Sequence, residues 1–458
     1  MKTTDSMPLS LLIKNSFSQS RKKICFLKMI PYLKKLNQVS CIKHLFKYCL
    51  ILCIPFLTIC QLSKKELYPS DFRISISVQY AEKMFSEGYY YEDDKTTART
   101  IEELQKMFIN HGSTELFAQF NTIRERRPLN MESHSYAVEI AKLAKKLNLP
   151  FNPQIWVCPN YSDISGQEPP DFSDFPELNV PGEWTDLNLD QMQSILYDYG
   201  ILCAKDILNT GVTVNIWDLG IETDYGFAGV AIKWGQWFEY KAPDAIDPEI
   251  GKMNITDFFQ MPQQERISWL QQHIWKYTSK LFKALADGIK SVDPDARFST
   301  HIASSTNPEL AVAYFKAMND GGYYPDELGL SFYPTSGKKE QDKLTDFKNT
   351  VTLLNRELGK KVYIGEFAYP AGEMTGYYKW NAEIEGYPLT DEGQAFFIQD
   401  LVAWGYSNGM LSGIRPWGFD LLDADWLPMS FFNVQDKRAI ARPSLGSIQM
   451  GLRQAKKQ

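Results

Sequence analysis

From residue 72 to residue 455 the chain alternates two kinds of segment, and it does so eight times. Short runs rich in β-branched and aromatic residues lie at 72–80, 113–121, 151–159, 212–220, 296–304, 327–334, 361–370 and 411–417. Longer stretches with helical apolar spacing lie at 97–111, 134–147, 189–209, 263–290, 307–319, 340–359, 391–406 and 443–455. Short apolar runs with few alternating polar positions read as parallel strands covered on their outer face by helices. Eight such units predict an α/β fold, a (β/α)8 barrel. The surplus length falls in 160–188, 223–262, 367–390 and 418–442, each following a strand. These are long βα loops, on the face where such barrels build their sites. A doubly wound open sheet is the competing fold, and it calls for a Gly-rich phosphate turn after an early strand. The sequence has none.

Charge divides the chain. Residues 1–60 hold ten Lys/Arg and one acid, Asp5, a balance of +9; the total of −6 leaves −15 for the rest. So acidic a body argues against nucleic acid, whose binding needs a basic footprint, and leaves neutral ligands such as sugars open. Five of seven cysteines (Cys25, Cys41, Cys49, Cys53, Cys60) precede residue 61. That distribution gives neither a disulfide framework nor a metal-binding Cys set. With five His in the chain and no EF-hand spacing, no metal and no cofactor is expected.

The apolar run from His44 to Cys60 follows Lys34, Lys35, Lys43 and Lys47, the order of an export signal. It closes on "LTIC", similar to a bacterial lipobox ending at Cys60. An ordinary signal peptide or an anchor helix is the alternative. Met29 is a candidate start. Residues 1–70 are therefore read as leader and linker, and 71–458 as one catalytic-type domain. The expected product is an exported monomer, a cell-envelope lipoprotein or else secreted or periplasmic, touching the membrane only through Cys60.

Two acids end strands. Glu222 follows the fourth run and Glu366 ends the core of the seventh, 144 positions later. In a closed barrel both would look across the mouth at one ligand. Paired carboxylates are what glycosidic-bond cleavage needs. A retaining enzyme places them about 5–5.5 Å apart, an inverting one about 6.5–9.5 Å. One must hold a proton while the other is ionised.

The residues around these acids resemble those of glycoside hydrolase family 53, the arabinogalactan endo-β-1,4-galactanases, from about Arg73 to Gly451. "DLGIETDYG" is similar to that family's acid/base motif, "LGLSFYP" to its strand-six motif and "KKVYIGEFAYP" to its nucleophile strand; "GYPLTDEGQAFFIQDLV" matches the loop and helix that follow. "NYSD" and "PGEW" resemble its segment after strand three, with Asn160 in place of the usual His. The resemblance implies a retaining barrel enzyme with Glu222 as general acid/base and Glu366 as nucleophile. It departs at Ile221, where the family has an Asn that helps hold the sugar 2-hydroxyl. It departs again in strand two, where Arg124 comes late, and in strand eight, which reads "IRPWGFD" rather than carrying Trp-Glu-Pro.

Other residues follow from position. His301 ends strand five and is a candidate for sugar or carboxylate contact, against a purely structural role. Tyr333 ends strand six, placed to keep the nucleophile ionised or simply to pack over the mouth. Trp417 ends strand eight and suits the floor of a sugar subsite. Asp163, Tyr225 and Arg124 are further substrate-binding candidates, and Asp420 a weaker one. The loops after the two acids are rich in aromatics, among them Trp234, Trp237, Phe238, Tyr240, Tyr369, Tyr377, Tyr378 and Trp380. The expected ligand is a β-linked polysaccharide or oligosaccharide. Galactan leads, another β-glycan (mannan, glucan, xylan) follows, and a barrel that binds glycan without cleaving it is the third reading.

Overall fold

The computed structural model describes residues 71–125, 132–160, 162–232, 241–338 and 340–457. The leader, the lipobox and the ring cluster Trp234, Trp237, Phe238 and Tyr240 lie outside the described residues. Eight strands form one closed barrel: β1 Arg73–Ile76, β2 Glu115–Phe120, β3 Phe151–Ile155, β4 Trp217–Leu219, β5 Phe298–Ile302, β6 Glu327–Phe332, β7 Val362–Phe367 and β8 Leu411–Pro416. All neighbours run parallel, and β8 closes on β1 through Arg73 opposite Gly413 and Ile74 opposite Ile414. Each run expected to be a strand contains one. The fourth is shortened: the 212–216 stretch contributes only a bridge from Val214 to Phe151 before the ladder begins at Trp217.

The covering helices are α1 Ile101–Asn110, α2 His134–Leu147, α3 Leu189–Leu208, α4 Lys276–Val292, α5 Pro308–Asp320, α6 Lys343–Leu358, α7 Asp391–Ser407 and α8 Ser447–Ala455. Their starts are chemically marked. The side chains of Thr100, Ser133, Asn188, Asn307, Asp342 and Thr390 each accept a backbone N–H of the first turn, satisfying donors that helix geometry leaves orphaned. α1 starts four residues later than its periodicity suggests, because Thr97–Ala98 pairs as a strand and Thr100 is the cap. The 263–290 segment divides into Gln263–Leu270, a π turn at Gln271–Trp275, and α4. That turn aims Trp275, whose Nε1 donates to the Asp224 carbonyl at 2.7 Å.

Long loops follow the strands. The last, read from the sequence as a long loop, contains the hairpin Phe432–Gln435/Arg438–Ala441, which pairs with Tyr90–Glu92 in a small second sheet. At the opposite, N-terminal end of the barrel Arg73 donates to Glu115 at 2.6 Å and to Glu327 at 2.7 Å. This buried network occupies the floor; losing one partner of such a network costs about 3–5 kcal/mol. The network is thus confined to the floor, and the C-terminal mouth is left to the site.

Candidate active site

β4 does not run straight into its loop. Gly220 (φ 73°) and Glu222 (φ 45°) both adopt left-handed backbone conformations. For a residue with a Cβ that costs on the order of 1–3 kcal/mol, and it persists only where the surroundings over-determine it. Here they do. The Gln154 amide donates to the Gly220 carbonyl at 3.1 Å, and Gln167 donates to the Ile221 carbonyl at 2.8 Å. The Ile164 N–H donates to Glu222 Oε2 at 3.1 Å. Downstream, the Asp224 carboxylate accepts the N–H groups of Ala303 and Ser304, each at 2.7 Å.

Glu366 lies on β7 opposite Ser331 of β6, where the register shifts. Tyr333, just past β6, donates its hydroxyl to Glu366 Oε2 at 2.7 Å. Both glutamates line one cleft of about 420 Å³, with Asp163 and Glu132 on its wall. Trp417, Trp426, Trp380 and Tyr378 form one side of it, their ring centroids 5.0–5.6 Å apart between neighbours. On another side Ile221 and Trp156 make an apolar patch with Cys158 behind it.

The two acids differ electrostatically. Burial, then the charge of Glu366, then that of Asp163 push the Glu222 carboxyl well above its ordinary range. Burial raises Glu366 to about 7, opposed by the Tyr333 hydrogen bond and by the positive charge of Arg415. Of the two, Glu222 is therefore the proton holder and Glu366 the group favoured to ionise. Glu132, near Gln119, is raised to about 7 by burial.

Of the positions singled out from the sequence, Glu222, Glu366, Asp163, Tyr333 and Trp417 meet in this cleft. His301, Tyr225, Arg124 and Asp420 do not line it. His301 is buried in the barrel beneath, beside Gln154 at 3.4 Å and against Gly329 and Gly365; burial and then Arg415 hold its imidazole neutral, well below the usual His range. Tyr225 packs on Phe258 and Phe259. Arg124 stacks over Phe175 and bonds Asp174 and Glu177, away from the mouth. Asp420, raised to about 7 by burial, accepts the Ala81 N–H at 3.0 Å. Glu132, Gln119, Trp156, Trp426 and Arg415 were not singled out. No period or motif marks Glu132; the chain returns it to the mouth through a bond from the Asn121 N–H to its carbonyl at 2.6 Å. Among the described residues no group of three or more His, Cys, Asp or Glu is placed to share a metal ion.

A closed parallel barrel whose mouth holds two buried acids at the ends of β4 and β7, beside an aromatic wall, is the frame of a glycoside hydrolase. The family model of glycosyl hydrolase family 53 matches residues 78–429, and the chain belongs to that family. Among solved structures it is similar to the Ignisphaera aggregans GH53 catalytic domain: 19% identity, TM-score 0.61, covering 84% of this chain and 97% of that one. It is also similar to a fungal β-1,4-galactanase, with 15% identity, TM-score 0.59 and coverage of 82% and 98%. A curated Niallia circulans protein, described as uncharacterized and from the bgaB 5′ region, is 25% identical over 162 residues, 34% of this chain. The match spans 42% of that relative's length.

Proposed function

We propose that this glycoside hydrolase is a retaining enzyme acting within a β-linked polysaccharide, with β-1,4-galactan the leading substrate. The observation that carries the reading is the pair of buried glutamates in one cleft, with the proton favoured on Glu222. Glu366 attacks the anomeric carbon as Glu222 gives its proton to the departing glycosidic oxygen. Glu222 then removes a proton from water, whose oxygen displaces Glu366 and restores both groups. The Tyr333 hydroxyl keeps the attacking carboxylate ionised. The aromatic wall supports extended glycan, since ring faces stack on the apolar C–H faces of sugars. Membership of the family and the likeness to a galactanase support galactan; mannan, glucan and xylan are the alternatives to screen.

The test is Glu222→Gln and Glu366→Gln, assayed by reducing-end release on a panel of these glycans, with the anomer of the first product read by NMR. Each variant should lose at least about 10³-fold in kcat, on the order of 4 kcal/mol. Wild-type rates in both variants, or an inverted product, would refute the reading. The second reading is glycan binding without turnover. It is favoured by Ile221, whose apolar cluster stands where relatives hold the sugar 2-hydroxyl, and it would appear as calorimetric binding with no product. We also propose export with lipid attachment at Cys60, checked by loss of fatty-acid labelling in Cys60→Ala.

A further inference from the structure

Arg415 belongs to β8, the strand beside the one that carries Glu366. Its side chain crosses the barrel interior and is almost wholly buried, 3% exposed. Nε donates to the carbonyl of Gly365, the residue before Glu366, at 2.6 Å. Nη1 donates to Asp218 of β4 at 2.6 Å, and the guanidinium lies 3.9 Å from the Phe117 ring centroid. The second terminal nitrogen, Nη2, is buried and has no hydrogen-bond partner among the described residues. A small cavity of about 20 Å³ is lined by Arg415 and Glu366 together, with Gln119 and Asp420. Strand two, Glu115–Phe120, carries no arginine, and among the described residues Arg415 is the cation whose charge acts on Glu366.

We propose that Arg415 is a positioning residue for the reaction: it fixes the backbone at Gly365 and sets a buried positive charge beside Glu366, holding that carboxylate ready for attack. The proposal rests on Glu366 being the nucleophile. The charges acting on Glu366 come from several elements. Glu222 of the β4 exit and Asp163 of the hairpin after β3 face it as acids, Tyr333 of β6 donates to it, and Tyr80 of the β1 exit also feels its charge. Glu132 lines the same cleft and Asp420 the small cavity. Arg415 is the one cation among these groups that favours the ionised form; Lys343, also at the cleft, is turned to Ser336. Asp218 in turn tempers the field of Arg415.

The experiment is the pH profile of kcat/KM on the panel glycan that the wild type turns over fastest. Arg415→Met combined with Asp218→Asn removes the ion pair as a unit, leaving no lone buried charge. The acidic limb should then move up by on the order of one pH unit, about a tenfold loss of rate on that limb. Asp218→Asn alone, which leaves Arg415 uncompensated, should move the limb the opposite way. Arg415→Lys should keep it near the wild-type position. An acidic limb that stays put in either folded neutralising variant, whatever the fall in kcat, would overturn the proposal, because a merely structural role does not move it. If the double variant does not fold, the Asp218→Asn profile decides alone: a downward shift supports the proposal and an unmoved or upward one overturns it. Failure of the underlying reading is seen separately, as wild-type turnover in Glu366→Gln.

Discussion

Tyr333→Phe removes one oxygen from the site and little else. That oxygen donates to Glu366 Oε2 at 2.7 Å, so the variant deletes a hydrogen bond to a charged acceptor. Such bonds are worth about 1.5–3 kcal/mol. Tyr333 is only partly buried, and the lower end applies. At about 1.4 kcal/mol per pH unit, the Glu366 carboxyl should rise by about one unit. On the acidic limb of kcat/KM this is about a tenfold loss, while above the limb the rates of variant and wild type converge. The ring remains to pack on Trp380 and Trp417, so the loss of stability should not exceed the cost of the bond itself, about 1.5 kcal/mol where Glu366 is ionised. The assay is reducing-end release from pH 4 to 9 with both proteins side by side. An unmoved limb, or a loss of equal size at every pH, would refute the claim that the hydroxyl acts by keeping Glu366 ionised.

Glu222→Gln should stabilise the protein at alkaline pH while abolishing turnover. Burial raises the folded-state pKa of Glu222, so its contribution is full below the unfolded value and is lost as pH rises through the folded one. Glutamine does not titrate; its advantage in denaturant melts should grow as pH rises from 4 to 9 and vanish by pH 4, and a pH-independent difference would contradict the linkage. Ile221→Asn places an amide in the cluster with Trp156 and Cys158, and should cost about 1–3 kcal/mol in urea unfolding. It should also raise kcat/KM several-fold, as expected when one hydrogen bond worth about 1 kcal/mol is gained; a fall would show that the 2-position of the sugar is held elsewhere.

Most of the barrel was legible because parallel strands buried on both faces carry few regularly alternating polar positions, and helices over them are apolar at one spacing. Those two constraints located every strand. They could not show that the stretch before Trp217 pairs only through a single bridge, since pairing depends on the neighbours' paths and not on local composition. Glu222 and Glu366 were legible for a related reason: a charged residue closing an apolar run marks where a strand meets the mouth. His301 obeys the same rule yet points beneath the cleft. Every residue of β5 is buried, so no alternation reveals which face a side chain takes. Tyr225 was misplaced because loop direction after a strand is set by contacts such as Asp224 with Ala303 and Ser304. Arg415 and Asp218 lie 197 positions apart, and only barrel closure makes them neighbours. Glu132 carries no pattern, because long-range bonds such as those from the Asn121 N–H and the Gln119 amide bring it to the mouth.

The hairpin Ser162–Asp163/Gly166–Gln167 has a consequence for anyone redesigning this enzyme. Loops at a barrel's mouth are usually treated as exchangeable parts, swapped to change what is recognised while the strands keep the chemistry. Here the loop after β3 supplies the amide that grips Ile221 and the N–H that meets Glu222, so the scaffold and its accessory are not separable. A transplanted loop would have to bring equivalents of Ile164 and Gln167 in the same register, or the left-handed turn at Glu222 would lose its restraints and relax. Substrate range and competence in this chain are inherited together.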